Sequence, residues 1–467
     1  MLFNTLVFWS FFLLVYILYL SLQRSLRAQN ILLLLASYIF YGYWNWKLLS
    51  LLLFSTVLDY FCGIRIHENS SSRKRRFYLI LSVAGNLSLL GFFKYFNFFL
   101  ESTQVILERI GLPAPRAFLR IALPIGISFY TFQTMSYTLD IYRRKLAPTR
   151  DFLNFALFVS FFPQLVAGPI ERATHLLPQI LSPRKITLSQ LREGGYLILW
   201  GLYKKSVVAD NLARIVDRVF GGGYYTGGEV LISLYAFAFQ VYGDFSGYSD
   251  IARGLGRLMG FDIVKNFNLP YFSSNIRELW RRWHISLTTW LRDYLYITLG
   301  GNRRGRLQTY RNIFLTLLLG GVWHGANWNF VLWGAYHGIL MCGHRVFRNR
   351  KFLKCGKGWE ILSTLFTFHL VVLGYLLFRS GSISQIKTLG TALFLRFFLT
   401  PQTIFWTGEV LFFISLLLVI EIVELRRGEF AILNLRPVVR GLLFLIIVFS
   451  LVVFGVTGGR EFVYFQF

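Results

Sequence analysis

Apolar stretches about as long as a membrane-spanning helix recur from one end of this chain to the other. A helix needs roughly 20 predominantly apolar residues to cross the hydrocarbon layer of a bilayer. Of the 467 residues, 55% are hydrophobic and only 15% are charged, whereas about 25% of the residues of a typical soluble domain are charged. The pattern therefore predicts an all-α polytopic membrane protein.

About eleven stretches are long enough to span the membrane, and no linker or internal repeat separates them. We therefore predict one domain over residues 1–467. Residues 101–119, 275–298 and 384–400 are shorter or more polar, which predicts interfacial or re-entrant helices. The predicted spans are residues 5–22, 30–46, 48–64, 77–100, 121–141, 194–208, 230–243, 313–342, 361–378, 410–422 and 438–456.

Basic residues concentrate between the apolar stretches. The segment 73–76 follows the third predicted span, and the segment 143–145 follows the fifth. Because Lys and Arg near span ends favour the cytoplasmic side, both segments place the N-terminus outside. This topology explains the net charge of +27. Since the basic residues form no single face or tail, we predict no nucleic-acid partner.

The three cysteines of the chain predict no special chemistry. Cys62, Cys342 and Cys355 are far apart in the sequence. Their number and spacing indicate neither a disulfide framework nor a zinc site. We therefore predict no bound metal.

His324 lies inside the apolar run 313–342. A charged side chain at the bilayer centre costs about 2.5–3.5 kcal/mol on insertion scales, so such residues usually line a water-filled path or a reaction site. Asn327 and Trp328 follow His324 by three and four residues, which predicts one shared helical face. We interpret His324 as a general base that takes a proton from an acceptor hydroxyl. The alternative is a structural histidine hydrogen-bonded to a neighbouring helix.

A second histidine, His284, follows Trp283 in the predicted interfacial helix. It is either a second catalytic or donor-binding group or an amphipathic anchor with its polar tip among the headgroups. The glycine-rich turn at residues 300–305 contains Arg303 and Arg304. Its amides and guanidinium groups are suited to a phosphorylated donor. Taken alone, however, such a turn more often serves as a cytoplasmic anchor.

Asp244 is a carboxylate at the end of a predicted span. We expect it to pair with an arginine, for example one of the segment 277–292. Ser246 and Ser249 lack the flanking glycines of a nucleophile elbow and are interpreted as polar lining or packing residues. His337 and His344 lie towards the end of the span that contains His324, and we predict that both are interfacial rather than catalytic.

Several motifs occur together and in one order along the chain. They are Phe-Pro at 162–163 followed by Gly-Pro-Ile at 168–170, Asp-Phe-Ser-Gly-Tyr-Ser-Asp at 244–250, Arg-Arg-Trp-His-Ile-Ser-Leu at 281–287, Trp-Leu-Arg-Asp-Tyr-Leu-Tyr at 290–296 and Trp-His-Gly-Ala-Asn-Trp at 323–328. In these motifs the chain resembles the membrane-bound O-acyltransferases. Within them it is most similar to the bacterial branch of the alginate O-acetyltransferase membrane subunit.

The resemblance implies a fold and a set of site residues. It implies a ring of transmembrane helices around a thinned centre, with a tunnel or funnel that connects the two sides. It also implies that His324 and His284 are the catalytic residues. Residues expected along the donor site or tunnel are Trp323, Asn327, Asp244, Arg303 and Arg304.

The resemblance further implies substrates and partners. The expected donor is acetyl-CoA or another acyl thioester from the cytoplasm, with no bound cofactor. The expected acceptor is an extracytoplasmic polysaccharide such as alginate, reached with help from a periplasmic or extracellular acetyltransferase partner. The protein is expected to lie among the lipids of the bacterial cytoplasmic membrane as a multi-pass protein.

Two other functions remain open on the sequence alone. Transfer of D-alanine from a carrier protein to teichoic acid would use the same histidines. A transporter that moves a donor or glycan without acyl chemistry would use the histidines as proton relays.

Overall fold

The computed structural model describes residues 1–113, 124–166, 168–347, 357–456, 458 and 460–463. Within these residues the chain forms helices and no β-strand. The predicted all-α class is therefore confirmed for the described part of the chain. Cys355 and residues 121–123 of the predicted fifth span lie outside the described residues.

The described chain divides into two compact units. Unit 1 contains residues 1, 7–185 and 261–263, and unit 2 contains residues 2–6, 186–260 and 264–467, apart from the positions outside the described ranges. The prediction of one domain stays a prediction. The helices of unit 1 are α1 (Leu6–Ser21), α2 (Leu26–Asn45), α3 (Leu49–Glu68), α4 (Ser72–Leu90), α5 (Phe96–Arg109), α6 (Ile127–Tyr142), α7 (Phe152–Ser160), α8 (Phe162–Leu165) and α9 (Ala173–Leu181).

Unit 2 is built around α12, a helix of 32 residues. Helices α10, α11, α17, α18 and α19 all pack against it. The helices of unit 2 are α10 (Leu188–Leu202), α11 (Asp210–Phe220), α12 (Gly227–Leu258), α13 (Ile276–Arg282), α14 (Ile285–Trp290), α15 (Arg306–His324), α16 (Trp328–Phe347), α17 (Lys357–Arg379), α18 (Ile383–Leu395), α19 (Pro401–Arg427) and α20 (Pro437–Phe454).

Four helical stretches of the described chain are long and apolar enough to cross a membrane. They are Leu26–Glu68, Ser72–Arg109, Gly358–Arg379 and Pro437–Phe454. Helix α20 exposes most of its apolar side chains, including Leu445 and Val452, which are 65% and 78% exposed. Such a surface suits lipid rather than water. The predicted count of eleven spans stays a prediction.

The predicted span 313–342 is not one helix. Helix α15 ends at His324, and Gly325 has extended backbone angles of φ −162° and ψ 155°. Helix α16 then begins at Trp328 and packs against α15 as a helical hairpin. Because Gly325 interrupts the helix, the prediction of one continuous span is wrong here.

The hairpin helices approach each other closely at glycines. A Cβ atom on Gly321 would lie 2.3 Å from the carbonyl oxygen of Phe330, and one on Gly334 would lie 2.7 Å from the carbonyl oxygen of Leu317. A side chain at either position would therefore push the two backbones apart. This contact holds the end of α15, and with it His324, against the start of α16.

The predicted interfacial helix 275–298 is also divided. Helices α13 and α14 are separated at Trp283 and His284, and a π-helical segment, Leu291–Tyr296, follows α14. His284 has φ 42°, in the left-handed region that non-glycine residues seldom occupy. The break turns His284 inward.

Candidate active site

His284 is completely buried in unit 2, at the break between α13 and α14. Two backbone hydrogen bonds connect this break to the loop before α13. The amide of Ile285 donates to the carbonyl oxygen of Asn266 at 2.8 Å, and the amide of Asn268 donates to the carbonyl oxygen of Arg282 at 2.9 Å. These bonds satisfy backbone groups that the interrupted helix leaves without partners. The interpretation of His284 as a headgroup anchor is therefore wrong.

The side chain of Asn266 orients the imidazole of His284. Its Oδ1 lies 3.2 Å from Nδ1 of His284, and it also accepts from the hydroxyl of Ser286 at 2.9 Å. Because an amide oxygen only accepts hydrogen bonds, this contact assigns the proton to Nδ1 of His284. The lone pair is then on Nε2, the nitrogen that acts as a base in this tautomer.

His324 is the last residue of α15, and only 4% of it is exposed. Its ring lies against Trp333, with the ring centres 5.1 Å apart, and against Phe378 at 5.4 Å. The indole of Trp323 contacts both histidines, at 5.1 Å from His324 and 6.0 Å from His284. The structure therefore brings together the two predicted catalytic residues and the predicted tunnel residue Trp323.

Asp244 belongs to a buried ion-pair cluster and not to an arginine pair. Its Oδ1 lies 2.8 Å from Nζ of Lys205, and that ammonium group also contacts Asp210 at 2.8 Å. A buried charge needs such partners because desolvation is costly. The predicted arginine partner is therefore wrong. Lys205 was missed because it lies 39 positions from Asp244 along the chain, although a lysine pair within an apolar span is a visible signal.

The second oxygen of Asp244 fixes the end of the described chain. It accepts a hydrogen bond of 2.6 Å from the amide of Val463. The neighbouring Phe462 packs on Phe245 at 5.3 Å, and Phe245 packs on His284 at 4.6 Å. Asp244 therefore supports the histidine through packing rather than by contacting its ring nitrogens.

Asn327 lies in the turn between α15 and α16, outside a helix. Its side-chain amide donates to the carbonyl oxygen of Gly381 at 3.0 Å, which ties the turn to the end of α17. Trp328 is 50% exposed. The prediction that both residues share one helical face with His324 is wrong, because the helix ends at His324 and its 3.6-residue period does not continue.

Arg303 and Arg304 lie at the opposite end of α15 from His324. Both side chains are exposed. The turn contains Gly300, Gly301 and Gly305, all with positive φ, and Asn312 donates to the carbonyl oxygens of Leu299 and Gly301 at 3.2 and 3.0 Å. At 1.5 Å per residue, the length of α15 separates this turn from His324 by roughly 27 Å. The structure does not bring these arginines to the histidines.

His337 is a third buried histidine, contrary to the prediction that it is interfacial. Only 2% of it is exposed, and its ring lies 4.6 Å from Trp333 and 5.3 Å from Trp280. Neither ring nitrogen of His337, nor Nε1 of Trp280 or Trp333, has a hydrogen-bond partner among the described residues. Buried polar atoms of this kind are usually satisfied by water or a ligand.

These three rings line a small cavity next to His324. The volume open to the centre of a water molecule is about 10 Å³. The cavity therefore has room for about one water-sized group. Trp333 and Phe378 form part of its wall and also contact the ring of His324. The other lining residues are Val241, Leu279, Trp280, Trp283, His337, Val371 and Tyr375.

Within the described ranges, no group of three or more His, Cys, Asp and Glu side chains is arranged to hold a metal ion. The site instead combines two buried imidazoles, a shared indole wall and a small cavity. Such a site can accept and return protons next to a small bound group.

Several known proteins are similar to this chain. Residues 142–383 match the model of the MBOAT, membrane-bound O-acyltransferase family. The chain is 44% identical to the "Probable alginate O-acetylase" of Azotobacter vinelandii over 79% of this chain and 73% of the relative. It is 39% identical to the peptidoglycan O-acetyltransferase of Helicobacter pylori over 76% and 72%, and 28% identical to the teichoic acid D-alanyltransferase of Bacillus subtilis over 54% and 68%.

Proposed function

This chain belongs to the membrane-bound O-acyltransferase family, and from that premise we propose that it O-acetylates an extracytoplasmic polysaccharide such as alginate. The donor is a cytoplasmic thioester, most simply acetyl-CoA, and the reaction needs neither a metal nor a bound cofactor. The protein works in the bacterial cytoplasmic membrane, and a periplasmic or extracellular acetyltransferase partner helps to deliver the acetyl group.

The observation that carries this proposal is the buried pair of histidines joined by Trp323. His324 takes the proton of the attacking hydroxyl, and the oxygen then forms a bond to the thioester carbonyl carbon. When the carbon–sulfur bond breaks, the thiolate leaves and the proton returns to it from the imidazolium. His284 has its proton on Nδ1, held by Asn266. This tautomer supports a role for Nε2 in relaying a proton rather than in donating to the carbonyl.

The small cavity has room for one small polar group of the transferred acyl, such as its carbonyl oxygen. It shares the walls Trp333 and Phe378 with His324 and has room for about one water-sized group. Acetyl as the transferred group is supported by the alginate and peptidoglycan O-acetylating relatives. The indole and imidazole nitrogens around the cavity are suited to a carbonyl oxygen.

The length of α15 supports transfer between the two sides of the membrane. A separation of roughly 27 Å approaches the thickness of the hydrocarbon layer, about 30 Å. With the basic turn at one membrane surface, a helix of this length places His324 in the membrane interior, which an acceptor enters from the other side. We propose that a tunnel or funnel through a thinned centre connects the donor at the turn with the histidines.

The test is the O-acetyl content of surface polysaccharide in cells that carry His324→Ala. We expect loss of acetylation at normal membrane abundance, since positioned acid–base groups contribute roughly 10²–10⁴-fold to rate. His369→Ala is the matched control, because His369 is an exposed histidine of α17. Unchanged acetylation in the His324 variant would rule out this mechanism.

Two further measurements separate the alternatives. If the chain is a transporter without acyl chemistry, acyl transfer in membranes that contain the His324 variant should remain intact when donor and acceptor share one side. A D-alanyltransferase would accept an aminoacyl carrier protein and ignore acetyl-CoA. Competition between acetyl-CoA and longer acyl-CoA donors tests the choice of acyl group, and we expect acetyl to be preferred.

A further inference from the structure

A basic groove lies in unit 1, where α3 ends, α4 begins and α6 ends. Its volume is about 390 Å³, within the range of small-ligand sites. None of the described residues that line it is acidic. The groove is lined by His67, Asn69, Arg75, Ile141, Arg144, Lys145, Leu146 and Ala147.

Among the described residues, no carboxylate pairs with the cations of the groove. No ion pair within the described ranges includes Arg75, Arg144 or Lys145, while the nearby Glu68 pairs with Arg65 and Arg150. Like charges placed together repel unless an anion lies between them. The groove therefore presents three positive charges that an external anion would neutralise.

Arg75 is held in place by neutral groups. Its Nη2 donates to the carbonyl oxygen of Tyr142 at 2.7 Å, and its Nε donates to that of Ile66 at 3.2 Å. Its guanidinium group also lies over the ring of Tyr142, 5.3 Å from the ring centre. These contacts orient the guanidinium while leaving its charge uncompensated, as in a preorganised anion site.

Arg144 occupies a backbone position where glycine is usual. Its φ is 58°, its amide donates to the carbonyl oxygen of Ile141, and the amide of Lys145 donates to that of Asp140, each at 2.9 Å. This is the Schellman ending of a helix, in which glycine is preferred at the left-handed residue. An arginine held there against its conformational preference indicates that the side chain has a role.

The groove lies between the two basic segments that the positive-inside rule places on the cytoplasmic side. The groove lies where Leu26–Glu68 ends and Ser72–Arg109 begins, and both stretches are long and apolar enough to cross a membrane. Basic pockets at the cytoplasmic ends of such helices bind anionic headgroups. We propose that the basic groove binds the phosphate of an anionic phospholipid. The other source of a phosphate is a soluble one, either inorganic phosphate or the phosphates of coenzyme A.

The experiment compares two triple variants of the full chain in detergent. The groove variant is Arg75→Gln, Arg144→Gln and Lys145→Gln. The control variant is Arg73→Gln, Lys74→Gln and Arg76→Gln, which removes the same charge from the start of α4 at positions that do not line the groove. Each protein is titrated with phosphatidylglycerol and with phosphatidylcholine, and thermal unfolding is recorded.

We expect phosphatidylglycerol to stabilise the wild type and the control variant, and phosphatidylcholine to stabilise neither specifically. The groove variant should bind phosphatidylglycerol roughly 100-fold more weakly, since three charge-assisted contacts to the headgroup phosphate are lost and each contributes a factor of about five. Equal weakening in both variants would overturn the proposal and leave only general attraction to the surface.

Separate titrations with inorganic phosphate and coenzyme A distinguish the sources of the phosphate. Groove-dependent stabilisation by either compound, without a response to phosphatidylglycerol, would overturn the lipid assignment in favour of a soluble ligand. Where the groove variant fails to fold, the single variant Lys145→Gln is compared with Lys74→Gln. These outcomes do not depend on whether the protein transfers acetyl groups.

Discussion

At the scale of single residues, the side-chain amide of Asn266 determines the tautomer and the orientation of His284. Oδ1 of Asn266 accepts from Nδ1 of His284 and from both the amide and the hydroxyl of Ser286. The backbone of Asn266 also accepts from Ile285. Asn266 thus holds both the tautomer of His284 and its unusual backbone conformation, and it is the positioning residue of the site.

Asn266→Ala should slow acetyl transfer by about fivefold, because a lost hydrogen bond of about 1 kcal/mol weakens the orientation of His284. Ser286→Ala removes another bond to the same oxygen and should have a smaller effect. Both variants are compared in single-turnover acetyl transfer at equal amounts of folded protein. Asn266→Asp retains an acceptor oxygen and should restore most of the rate. Equal losses in all three variants would indicate that Asn266 has only a structural role.

At the scale of helices, the hairpin of α15 and α16 positions His324. The break at Gly325 places the histidine at a helix end, and the close contact at Gly321 keeps that end next to Trp333. Backbone contact of this kind depends on the absence of side chains. The position of His324 therefore depends on glycines that do no chemistry themselves.

Gly321→Ala should lower the amount of folded protein, because the new Cβ would lie 2.3 Å from the carbonyl oxygen of Phe330. Gly343→Ala is the matched control in α16, where a Cβ meets nothing within 4 Å. We expect the control to be neutral, or stabilising by about 0.5–1 kcal/mol. Membrane abundance and thermal unfolding in detergent check both. Equal stability of the two variants would contradict the close contact.

Helix α9 of unit 1 contains a charge-dependent contact. Nδ1 of His175 lies 3.0 Å from Glu171, and Nε2 lies 3.7 Å from Asp262. Interactions with the carboxylates of Asp262 and then Glu171 raise the pKa of His175 to about 10. Because the folded pKa lies above the unfolded value of about 6.5, the stabilisation is complete below that value and is lost as pH rises through about 10.

His175→Gln should therefore reduce the thermal stability of the protein most strongly at about pH 6, where both states of the wild type are protonated. The difference between variant and wild type should shrink as pH rises towards about 10. Thermal unfolding in detergent at several pH values measures this difference. A difference that stays constant over the whole range would show that the charge of His175 does not contribute.

At the scale of the whole molecule, the proposed reaction needs recognition at both ends of α15. The exposed Arg303 and Arg304 lie at one end, and the buried histidines lie at the other. Phosphates of the donor pair well with guanidinium groups, whereas the acyl group needs a dry site next to a base. We therefore expect substitutions of the arginines to weaken donor binding and substitutions of the histidines to slow the chemical step.

Replacing both Arg303 and Arg304 by Gln should raise the KM for acetyl-CoA roughly tenfold or more, with a smaller change in kcat, because charge-assisted bonds to the donor phosphates are lost. A short acetyl thioester without phosphates should react equally well with the variant and the wild type. Arg73→Gln with Lys74→Gln removes the same charge in unit 1 and is the control. An unchanged KM would identify the turn as a membrane anchor only.

The amino-acid sequence by itself determined the class of this protein, because membrane-spanning helices need long apolar stretches that are readable without tertiary contacts. It also indicated His324 and His284, since histidines in such stretches are costly and stand out. Its motifs, moreover, resembled one enzyme family. The sequence did not show where this helix ends, so the predicted shared face of His324, Asn327 and Trp328 was wrong.

Only the tertiary structure decided how these residues meet. Asn266, Lys205 and His337 reach their partners across many sequence positions, and no local pattern states that Asp244 pairs with Lys205 or that His337 lines a cavity. The break at Gly325 and the left-handed conformation of His284 depend on packing against other helices. Local sequence determines which segments are apolar. The partners of buried polar groups depend instead on long-range packing, because packing either supplies a hydrogen-bond partner or leaves the polar group available to a ligand.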